Sequence, residues 1–541
     1  MNMKKILNFI LLALIMFQLL SCSNNKDYVE MIPADIDFVI QINPKSIAKK
    51  GNFENIEQYN LAKLALTEIN NADPALKEMI SLIKKSPTDA GVDIISPIYI
   101  FGKKLNNKLI VTLAMNMNDK SEFEAQLKTI YKSVYKQDIS FVDENNYTFI
   151  KGNKKPYLAW NKKQFMFIAG EYGTPTSDLN SFFEDLIKNE NSLIDNISFA
   201  DFLKNTQDVN IWYTGNFTKY FSNKTNPSEN NLDFSKSAWA TYLSFNDDNI
   251  SFTQKFHPDP ATKIELEKRP MWKSKINTDF YKYFPERSYA NISIGAYPAN
   301  TRYILNNKNI ISDFLNEYTI DYTILENSFE GEALFSIYDF ESAKSFSVND
   351  YFGKKETFEK TIIIPQFILA GRMKNKDFYN HFISNFGKGI VSHGNYHSLK
   401  INTNQSIYFS FNNNIMFVTN NQIQVNNFAL NRVSKNNFIQ SPFSSGAKNS
   451  MFANVNLNLE DYPNDVKNYF IKNSPIPITN EMEKFISQFS KIEFKVTDEY
   501  TKTGNLQLKK SDVNSLETIL LFLDQTYSVY SNPGILSNGS N

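Results

Sequence analysis

The residues Tyr157-Leu158-Ala159-Trp160-Asn161-Lys162-Lys163-Gln164-Phe165-Met166-Phe167-Ile168 carry the clearest hairpin pattern in the chain. Two apolar runs flank Asn161–Gln164, which has the length and composition of a four-residue loop between antiparallel strands. A similar stretch, Ile407–Val418, follows later in the chain, and Phe411–Ile415 supplies its shorter turn. The sequence therefore predicts a β-hairpin at both places.

The two hairpins belong to a longer internal similarity. Five blocks recur in the same order at similar offsets, for example 285 − 33 = 252 and 416 − 166 = 250. This order predicts two tandem copies of one domain, and the alternative is two unrelated α+β domains with similar patterning. The paired blocks are Pro33 with Asp37–Ile42 and Pro285 with Tyr289–Ile294, Leu109–Met115 with Phe123 and Gln366–Gly371 with Phe378, Tyr157–Ile168 and Ile407–Val418, Asn210–Trp212 and Asn454–Asn456, and Leu243–Phe256 and Ile492–Leu508.

Amphipathic helices lie between these strand signals. Asp73-Pro74 begins one, Ser121 with Glu124 forms a capping-box pattern before a second, Phe378–Phe386 spaces aromatics for a third, and Val513–Tyr527 marks a closing helix. Strands that come as hairpins with helices inserted are typical of the α+β class. We therefore expect two tandem duplicated domains, each an antiparallel sheet with helices packed on one face.

The chain divides into four predicted segments. Residues 1–21 read as a lipoprotein signal peptide and residues 22–31 as a tether. Residues 32–270 form the first α+β repeat and residues 280–541 the second, joined by a lysine- and proline-bearing stretch.

Cys22 is the only cysteine of the 541 residues. It follows Lys4 and Lys5, the apolar run Ile6–Leu20 and the small residue Ser21, a pattern that resembles a lipobox and implies acylation of Cys22 after cleavage. Two alternatives are an ordinary secretory signal and a retained anchor. The apolar run is shorter than the roughly 20 residues of a spanning helix. We expect a lipid-anchored outer-membrane protein, and the sequence does not choose between its periplasmic and surface faces.

Charge and composition exclude some partners. The 57 basic and 57 acidic residues balance, so no strong field steers the protein to nucleic acid. With 42% hydrophobic residues, the chain can bury a sizeable core. The expected partners are the membrane, through the lipid on Cys22, and an envelope protein or glycan.

With only four histidines, the chain has few sets of side chains that could support metal binding or acid–base catalysis. His393 and His397 have the spacing of a helical zinc pair, but Gly394 and Asn395 between them disfavour a helix. A turn before a strand is the better interpretation there, and His257 and His381 read as surface residues. No catalytic, metal or cofactor site is predicted.

Scattered serine–lysine motifs resemble those of penicillin-recognising enzymes. Lys502-Thr503-Gly504 is placed by the sequence in a turn, whereas that chemistry needs it on a strand, so we reject the resemblance. The other motifs are Ser46-Ile47-Ala48-Lys49, Ser81-Leu82-Ile83-Lys84, Ser445-Gly446-Ala447-Lys448 and Ser244-Phe245-Asn246.

Short motifs near the start of the first repeat carry a family resemblance. They are Ile32-Pro33-Ala34-Asp35 with Val39, Asn43 and Ser46, then Gly91-Val92-Asp93 and Pro97-Ile98-Tyr99. Through them, and through the lipobox, the chain resembles the lipoprotein family called domain of unknown function 4836. The resemblance implies a Bacteroidota envelope location and no activity or catalytic residues.

These observations favour a non-enzymatic binding or scaffolding lipoprotein. The alternative function is an envelope glycan or peptidoglycan hydrolase whose carboxylates meet only in space. A third is an accessory subunit of a surface complex.

Overall fold

A computed structural model describes residues 27–54, 59, 60, 63, 78, 91–150, 157–188, 191–218, 233–300, 322–351, 354–402, 405–473, 480–509 and 512–531. The protein is a mixed structure of helices and antiparallel sheet. The chain separates into two compact units. The first unit takes residues up to Lys263 and those from Lys510 onward, and the second unit takes Ile264–Lys509.

The first unit is built on an antiparallel sheet. Its strands lie in the order β5-β6-β7-β8-β4-β3-β1-β9-β10-β11, with the two-residue β2 also paired to β4. The strands are β1 Phe38–Ile42, β2 Val92–Asp93, β3 Ile98–Leu105, β4 Lys108–Met117, β5 Phe141–Glu144, β6 Tyr147–Ile150, β7 Tyr157–Trp160, β8 Gln164–Gly170, β9 Val209–Thr214, β10 Ala238–Phe245 and β11 Asn249–His257.

Helices cover both faces of this sheet. Val39 and Phe101 lie in a core cluster with Phe182 and Phe183 of the helix Thr176–Ile187. The opposite face, with Ile42 and Ile100, packs on Phe123 and Leu127 of Lys120–Tyr135 and on Leu516 of Ser515–Ser531. The expectation of helices on one face is therefore wrong for this unit, because β1 and β3 carry apolar residues at successive positions and need two covered faces. The remaining helices are Pro44–Lys50, Ile197–Phe202, Gly215–Thr218 and Pro260–Lys268, with 3₁₀ turns at Asp27–Met31, Leu193–Asp195 and Phe234–Lys236.

The second unit has ten strands in the described chain. Their order is β15-β16-β17-β18-β14-β13-β12-β19-β20-β21, and every pair is antiparallel. The strands are β12 Ala290–Gly295, β13 Phe329–Tyr351, β14 Lys354–Met373, β15 Ile390–Ser392, β16 His397–Lys400, β17 Ser406–Asn412, β18 Ile415–Thr419, β19 Met451–Asn456, β20 Phe489–Val496 and β21 Thr501–Leu508.

Its sheet is also covered on two faces. Leu334 and Phe417 pack in one cluster with Val425 of the helix Gln422–Ala429. On the other face, the rings of Phe382 and Phe409 meet edge to face at 5.1 Å, which seats the helix Asp377–Phe386. The other helices are Tyr322–Ser328, Asn464–Asn473 and Asn480–Ile486, and the 3₁₀ turns are Asp279–Tyr283, Gly387–Gly389, Phe438–Gln440, Gly446–Lys448 and Leu459–Asp461.

The strand order of the two units is the same from β5 to β11 and from β15 to β21. The 3₁₀ turn Asp27–Met31 precedes β1 as Asp279–Tyr283 precedes β12, at an offset of 279 − 27 = 252. Isolated bridges join Pro33 to Ser192 in one unit and Pro285 to Asn437 in the other. The frame of each unit is therefore built in the same way.

The structure corrects two parts of the predicted alignment. Val39 pairs with Trp212 and Asn291 pairs with Asn454, so Trp212 corresponds to Asn454 and not to Asn456. Met166 lies in the cluster that also contains Val29 of the first 3₁₀ turn, whereas Phe417, not Met416, lies in the cluster that contains Tyr281 of the second turn. Aligning Met166 with Met416 puts the two side chains on opposite faces, because a shift of one residue reverses a strand's faces. The predicted hairpins themselves are confirmed, and Asn413 and Asn414 turn the second one with φ of 50° and 59°.

Two segment boundaries differ from the predicted ones. Residues 27–31 of the predicted tether form a 3₁₀ turn with Val29 and Met31 buried in the first core. The closing helix Ser515–Ser531 groups with the first unit, although the repeats placed it in the second. The helix predicted to begin at Asp73-Pro74 lies outside the described residues.

The helix predicted to begin near Ser121 is confirmed as Lys120–Tyr135 with a different cap. Asp119 accepts hydrogen bonds from the backbone N–H groups of Ser121 and Glu122, at 2.8 and 3.0 Å. Glu124 instead accepts a hydrogen bond from the Trp160 indole at 3.0 Å. The capping-box interpretation of Ser121 and Glu124 is therefore wrong.

Candidate functional site

Cys22 lies outside the described residues, so its acylation stays a prediction. None of the helices in the described part of the chain combines the length and apolarity needed to span a bilayer.

A cavity opens beside the loop that precedes β1. It has a volume of about 430 Å³ and is called the first cavity here. The loop is held by the backbone N–H of Ala34, which donates to the carbonyl of Asn191 at 3.0 Å. The lining residues are Pro33, Ala34, Asp35, Lys103, Phe182, Asp185, Leu186, Lys188 and Asn191.

The charges in the first cavity balance. Lys103 Nζ contacts Asp35 Oδ2 at 2.5 Å and lies 5.5 Å from the centre of the Phe182 ring. The Lys103 side chain is 16% exposed and that of Asp35 is 66% exposed, so the pair sits at the mouth. Asp185 and Lys188 complete a set of two carboxylates and two ammonium groups.

A second cavity opens at the corresponding place in the other unit. It has a volume of about 210 Å³ and lies between the loop before β12 and the end of Gln422–Ala429. Pro285 takes the position of Pro33 (285 − 33 = 252), and Asn436 that of Asn191 (436 − 191 = 245). The lining residues are Tyr283, Phe284, Pro285, Gln424, Asn427, Phe428, Arg432, Ser434 and Asn436.

The second cavity has one charged lining residue, Arg432, and no carboxylate. Below it, Phe284 and Phe428 are buried, and the Tyr283 hydroxyl donates to Asn431. Within the described part of the chain, no hydrogen bond or ion pair engages the side-chain polar atoms of Gln424, Asn427, Arg432, Ser434 and Asn436, whereas backbone Gln424 N donates to Asn421 Oδ1 and Ser434 O accepts from Asn437 Nδ2. Their polar groups are therefore available to a ligand or to water.

The histidines do not assemble a metal site. His393 lies in a turn and stacks on Tyr396 at 4.7 Å, and His397 begins β16, with its Nδ1 3.0 Å from the Tyr379 hydroxyl. The predicted turn is confirmed. His381 forms a hydrogen bond with Asn385 of its own helix. His257 is half-buried at the end of β11. Burial lowers the pKa of His257 and outweighs the negative charge of Asp201, which raises it. Among the described residues, no group of three or more His, Cys, Asp or Glu side chains could hold a metal ion.

The serine–lysine motifs take structural roles. Ser46 Oγ donates to Asp208 Oδ1, and Lys50 Nζ contacts Asp208 Oδ2 at 2.7 Å. The Ser46 hydroxyl is therefore bound to a buried carboxylate. Ser445 precedes a 3₁₀ turn, and the Ser81 motif lies outside the described residues. Lys502-Thr503-Gly504 lies inside β21, so its predicted place in a turn is wrong, since β20 ends at Val496.

The family model described as domain of unknown function DUF4836 matches residues 28–516. The chain belongs to this family. No curated protein and no solved structure matches the chain. The predicted resemblance to the DUF4836 family is thereby confirmed.

The motifs that carried the DUF4836 resemblance now have physical roles. Pro33, Ala34 and Asp35 line the first cavity, and the Asn43 side chain accepts from Ser46 N at 3.3 Å to begin the helix Pro44–Lys50. Gly91 has φ +72°, and a Cβ there would lie 2.5 Å from the backbone nitrogen of Phe123.

Asp93 closes a buried turn after Gly91. It accepts hydrogen bonds from Ser96 Oγ at 2.6 Å, from Ile95 N at 2.9 Å and from Asn116 Nδ2 at 3.2 Å. Burial alone would raise the pKa of Asp93, but these hydrogen bonds outweigh burial and hold the pKa below its usual value. The Gly91-Val92-Asp93 motif of the DUF4836 chain is therefore explained by folding, whereas Pro33, Ala34 and Asp35 line the first cavity.

Sequence reasoning missed both cavities. The repeated prolines Pro33 and Pro285 were the available signal, because they marked one loop in each unit. The polar side chains of the first cavity come from three separated segments, so no local spacing could reveal it. Those of the second cavity lie mostly within Gln424–Asn436, and they line a cavity only against the loop before β12.

Proposed function

We propose that this protein is a lipid-anchored outer-membrane protein whose two units are duplicated, non-enzymatic binding modules. The lipobox pattern at Cys22 supports the anchor. The charge balance of the chain argues against nucleic acid as a partner, and leaves the membrane and an envelope protein or glycan.

The duplication is supported by matched hydrogen bonds as well as by strand order. Leu193 N donates to Ile32 O at 2.7 Å, and Phe438 N donates to Phe284 O at 2.9 Å. The offsets between these partners, 284 − 32 = 252 and 438 − 193 = 245, are those that relate the two cavities. Two unrelated domains would not be expected to repeat such details, so one ancestral module that was copied in tandem is the simpler account.

The observation that carries the binding proposal is the pair of cavities at corresponding positions. A binding site is typically a concave pocket with a few converging polar groups. Each cavity joins the loop before the first strand of its unit to the end of a helix, and each has polar side chains at its mouth. A copied scaffold that keeps a cavity in both copies is expected of a binding module.

The anchoring half is tested by Cys22→Ala. We expect the natural protein to incorporate radiolabelled palmitate and to sediment with membranes, and the variant to do neither. Ser21→Ala is the matched control, because it keeps a small residue before the cysteine. A membrane-bound, unlabelled Cys22→Ala protein would show that the anchor lies elsewhere. Protease treatment of intact cells then distinguishes the surface face from the periplasmic face.

The binding half is tested by filling each cavity mouth. Ser434→Trp and Lys188→Trp each place a bulky ring at an exposed lining position. We expect neutral and acidic envelope glycan fragments, titrated by calorimetry, to bind the natural protein and to lose affinity when one mouth is filled. Binding that both variants retain, or no binding of any fragment, would refute the binding modules.

The hydrolase alternative has one observation in its favour. Asp35 and Asp185 line the same cavity, and glycoside hydrolysis uses paired carboxylates. Against it, Asp35 is held by Lys103, and the second cavity has no carboxylate. Turnover of peptidoglycan or glycan that Asp35→Asn and Asp185→Asn each abolish would establish the enzyme; a protein without turnover supports the binding module.

A further inference from the structure

The second cavity offers an unusual set of side chains. Gln424, Asn427 and Asn436 each present an amide that can donate and accept, and the Ser434 hydroxyl does the same. Ligand hydroxyl groups also donate and accept, so a cavity of this kind matches a hydroxyl-rich molecule better than an apolar one. All four residues are partly or fully exposed, so a ligand can reach them from solvent.

Arg432 adds a positive charge that the protein does not neutralise. It is exposed, and no carboxylate in the described chain lies within ion-pair distance of its guanidinium. A guanidinium holds a carboxylate through two parallel hydrogen bonds, which a flexible ammonium cannot reproduce. The first cavity differs, because Asp35 and Asp185 there offset the positive charges of Lys103 and Lys188.

The size of the second cavity limits the ligand. Its 210 Å³ is below the roughly 300–1,000 Å³ of drug-sized pockets, so it suits a single small ring rather than an oligomer. Its floor is aromatic, with the rings of Tyr283 and Phe428 edge to face at 4.9 Å.

We propose that the second cavity binds a hydroxyl-rich small molecule that bears a carboxylate, of the uronic acid class, with Arg432 on the carboxylate and the amides on the hydroxyls. This inference rests on the proposed binding function and names the ligand chemistry of one of its two sites. The unit itself is the scaffold, and the specificity comes from the helix Gln422–Ala429 and the loop after it.

The experiment titrates the full-length protein in detergent with D-glucuronate, D-glucose and inorganic phosphate by calorimetry. We expect glucuronate to bind at least about tenfold tighter than glucose, since a charged hydrogen-bonded pair adds more than one neutral bond. Arg432→Gln should abolish that preference, and Arg432→Lys should keep only part of it. Arg269→Gln, at an exposed arginine of the same unit outside the cavity, is the matched control and should keep it all.

Three results would overturn the inference. Glucuronate and glucose could bind alike, Arg432→Gln could keep the preference, or inorganic phosphate could bind as tightly as glucuronate. The last result would mean that the amides recognise no hydroxyl. Suppose that neutral glycan fragments bind, that Ser434→Trp blocks their binding, and that glucuronate binds no tighter than glucose. The proposed uronic acid ligand is then wrong, while the proposed binding function stands. If no fragment binds either cavity, the binding function itself fails.

Discussion

The central hairpins of the two units differ far more than the sheets around them. In the first unit β3 and β4 have 8 and 10 residues, whereas in the second β13 and β14 have 23 and 20. Strands β12 and β18 pair with the hairpin only as far as Ile337 and Ile368, so the outer part pairs only with itself among the described strands. The sheet can therefore accommodate a much longer hairpin at this position without a change in strand order.

The largest loss of stability is expected at Gly91 in the first unit, where the backbone leaves no room for a side chain. Gly91→Ala adds a Cβ 2.5 Å from the backbone of Phe123 at φ +72°, so we expect a loss of about 2–5 kcal/mol in the free energy of unfolding. In the second unit, Gly394 has φ +81° with nothing within 4 Å of a Cβ. Gly394→Ala should cost only about 1 kcal/mol. Denaturant unfolding followed by hydrogen exchange measures each unit separately, and equal losses would contradict the prediction.

A second comparison concerns Asp208 and Ser450, which occupy corresponding positions in the two units. Asn43 N donates to Asp208 O and Gly295 N to Ser450 O, so Asp208 and Ser450 correspond. The buried Asp208 carboxylate also binds Ser46, Lys50 and Phe245 N, whereas the Ser450 hydroxyl donates to the carbonyl of Lys273 at 2.9 Å.

Asp208→Ala should therefore destabilise the first unit by about 2–3 kcal/mol, a figure discounted because Lys50 is partly exposed. Ser450→Ala should destabilise the second unit by about 1 kcal/mol. The same hydrogen-exchange assay measures both variants. A larger loss for Ser450→Ala would reverse the comparison.

The long hairpin itself should contribute little to the stability of its unit. Replacing residues 342–363 by an Asn-Gly turn joins Glu341 to Ile364, which already face each other in register. We expect the unfolding free energy to change by less than about 1 kcal/mol, because the removed backbone pairs only with itself. Loss of the folded second unit by circular dichroism would show that the hairpin is part of the frame.

The smallest effect concerns acid. Burial lowers the pKa of His257 below 6.5, so the unfolded chain binds this proton more readily than the folded one. Stability should therefore fall as the pH drops from about 7 through 6.5. His257→Asn should lose less stability than the natural protein between pH 7.5 and pH 5.5 in urea unfolding. An equal loss in both proteins would remove His257 as a cause.

The sequence predicted the parts of the fold that depend on local patterns. The hairpins at Tyr157–Ile168 and Ile407–Val418, and the helices near Ser121 and Phe378, were visible because alternation and helical spacing are short-range signals. The second covered face was not visible, because it is packed by the helix Thr176–Ile187, which the sequence analysis did not predict and which lies far along the chain from β1.

The first cavity escaped prediction because it depends on contacts between segments that are distant in sequence. Lys103 of β3 reaches Asp35 of the loop before β1, a contact across 68 residues that only the pairing of β1 with β3 creates. Cys22, by contrast, was predicted from a local pattern and is still untested.

The buried 3₁₀ turn at Asp27–Met31 limits how far the first unit can stand from a membrane. If Cys22 is acylated as proposed, five residue steps separate it from Asp27, and they can span at most about 17–18 Å. The headgroup layer of one leaflet takes roughly 5–8 Å of that reach. The first unit would then remain beside the lipid headgroups, where its ligands arrive by diffusion along the membrane surface as much as from solution.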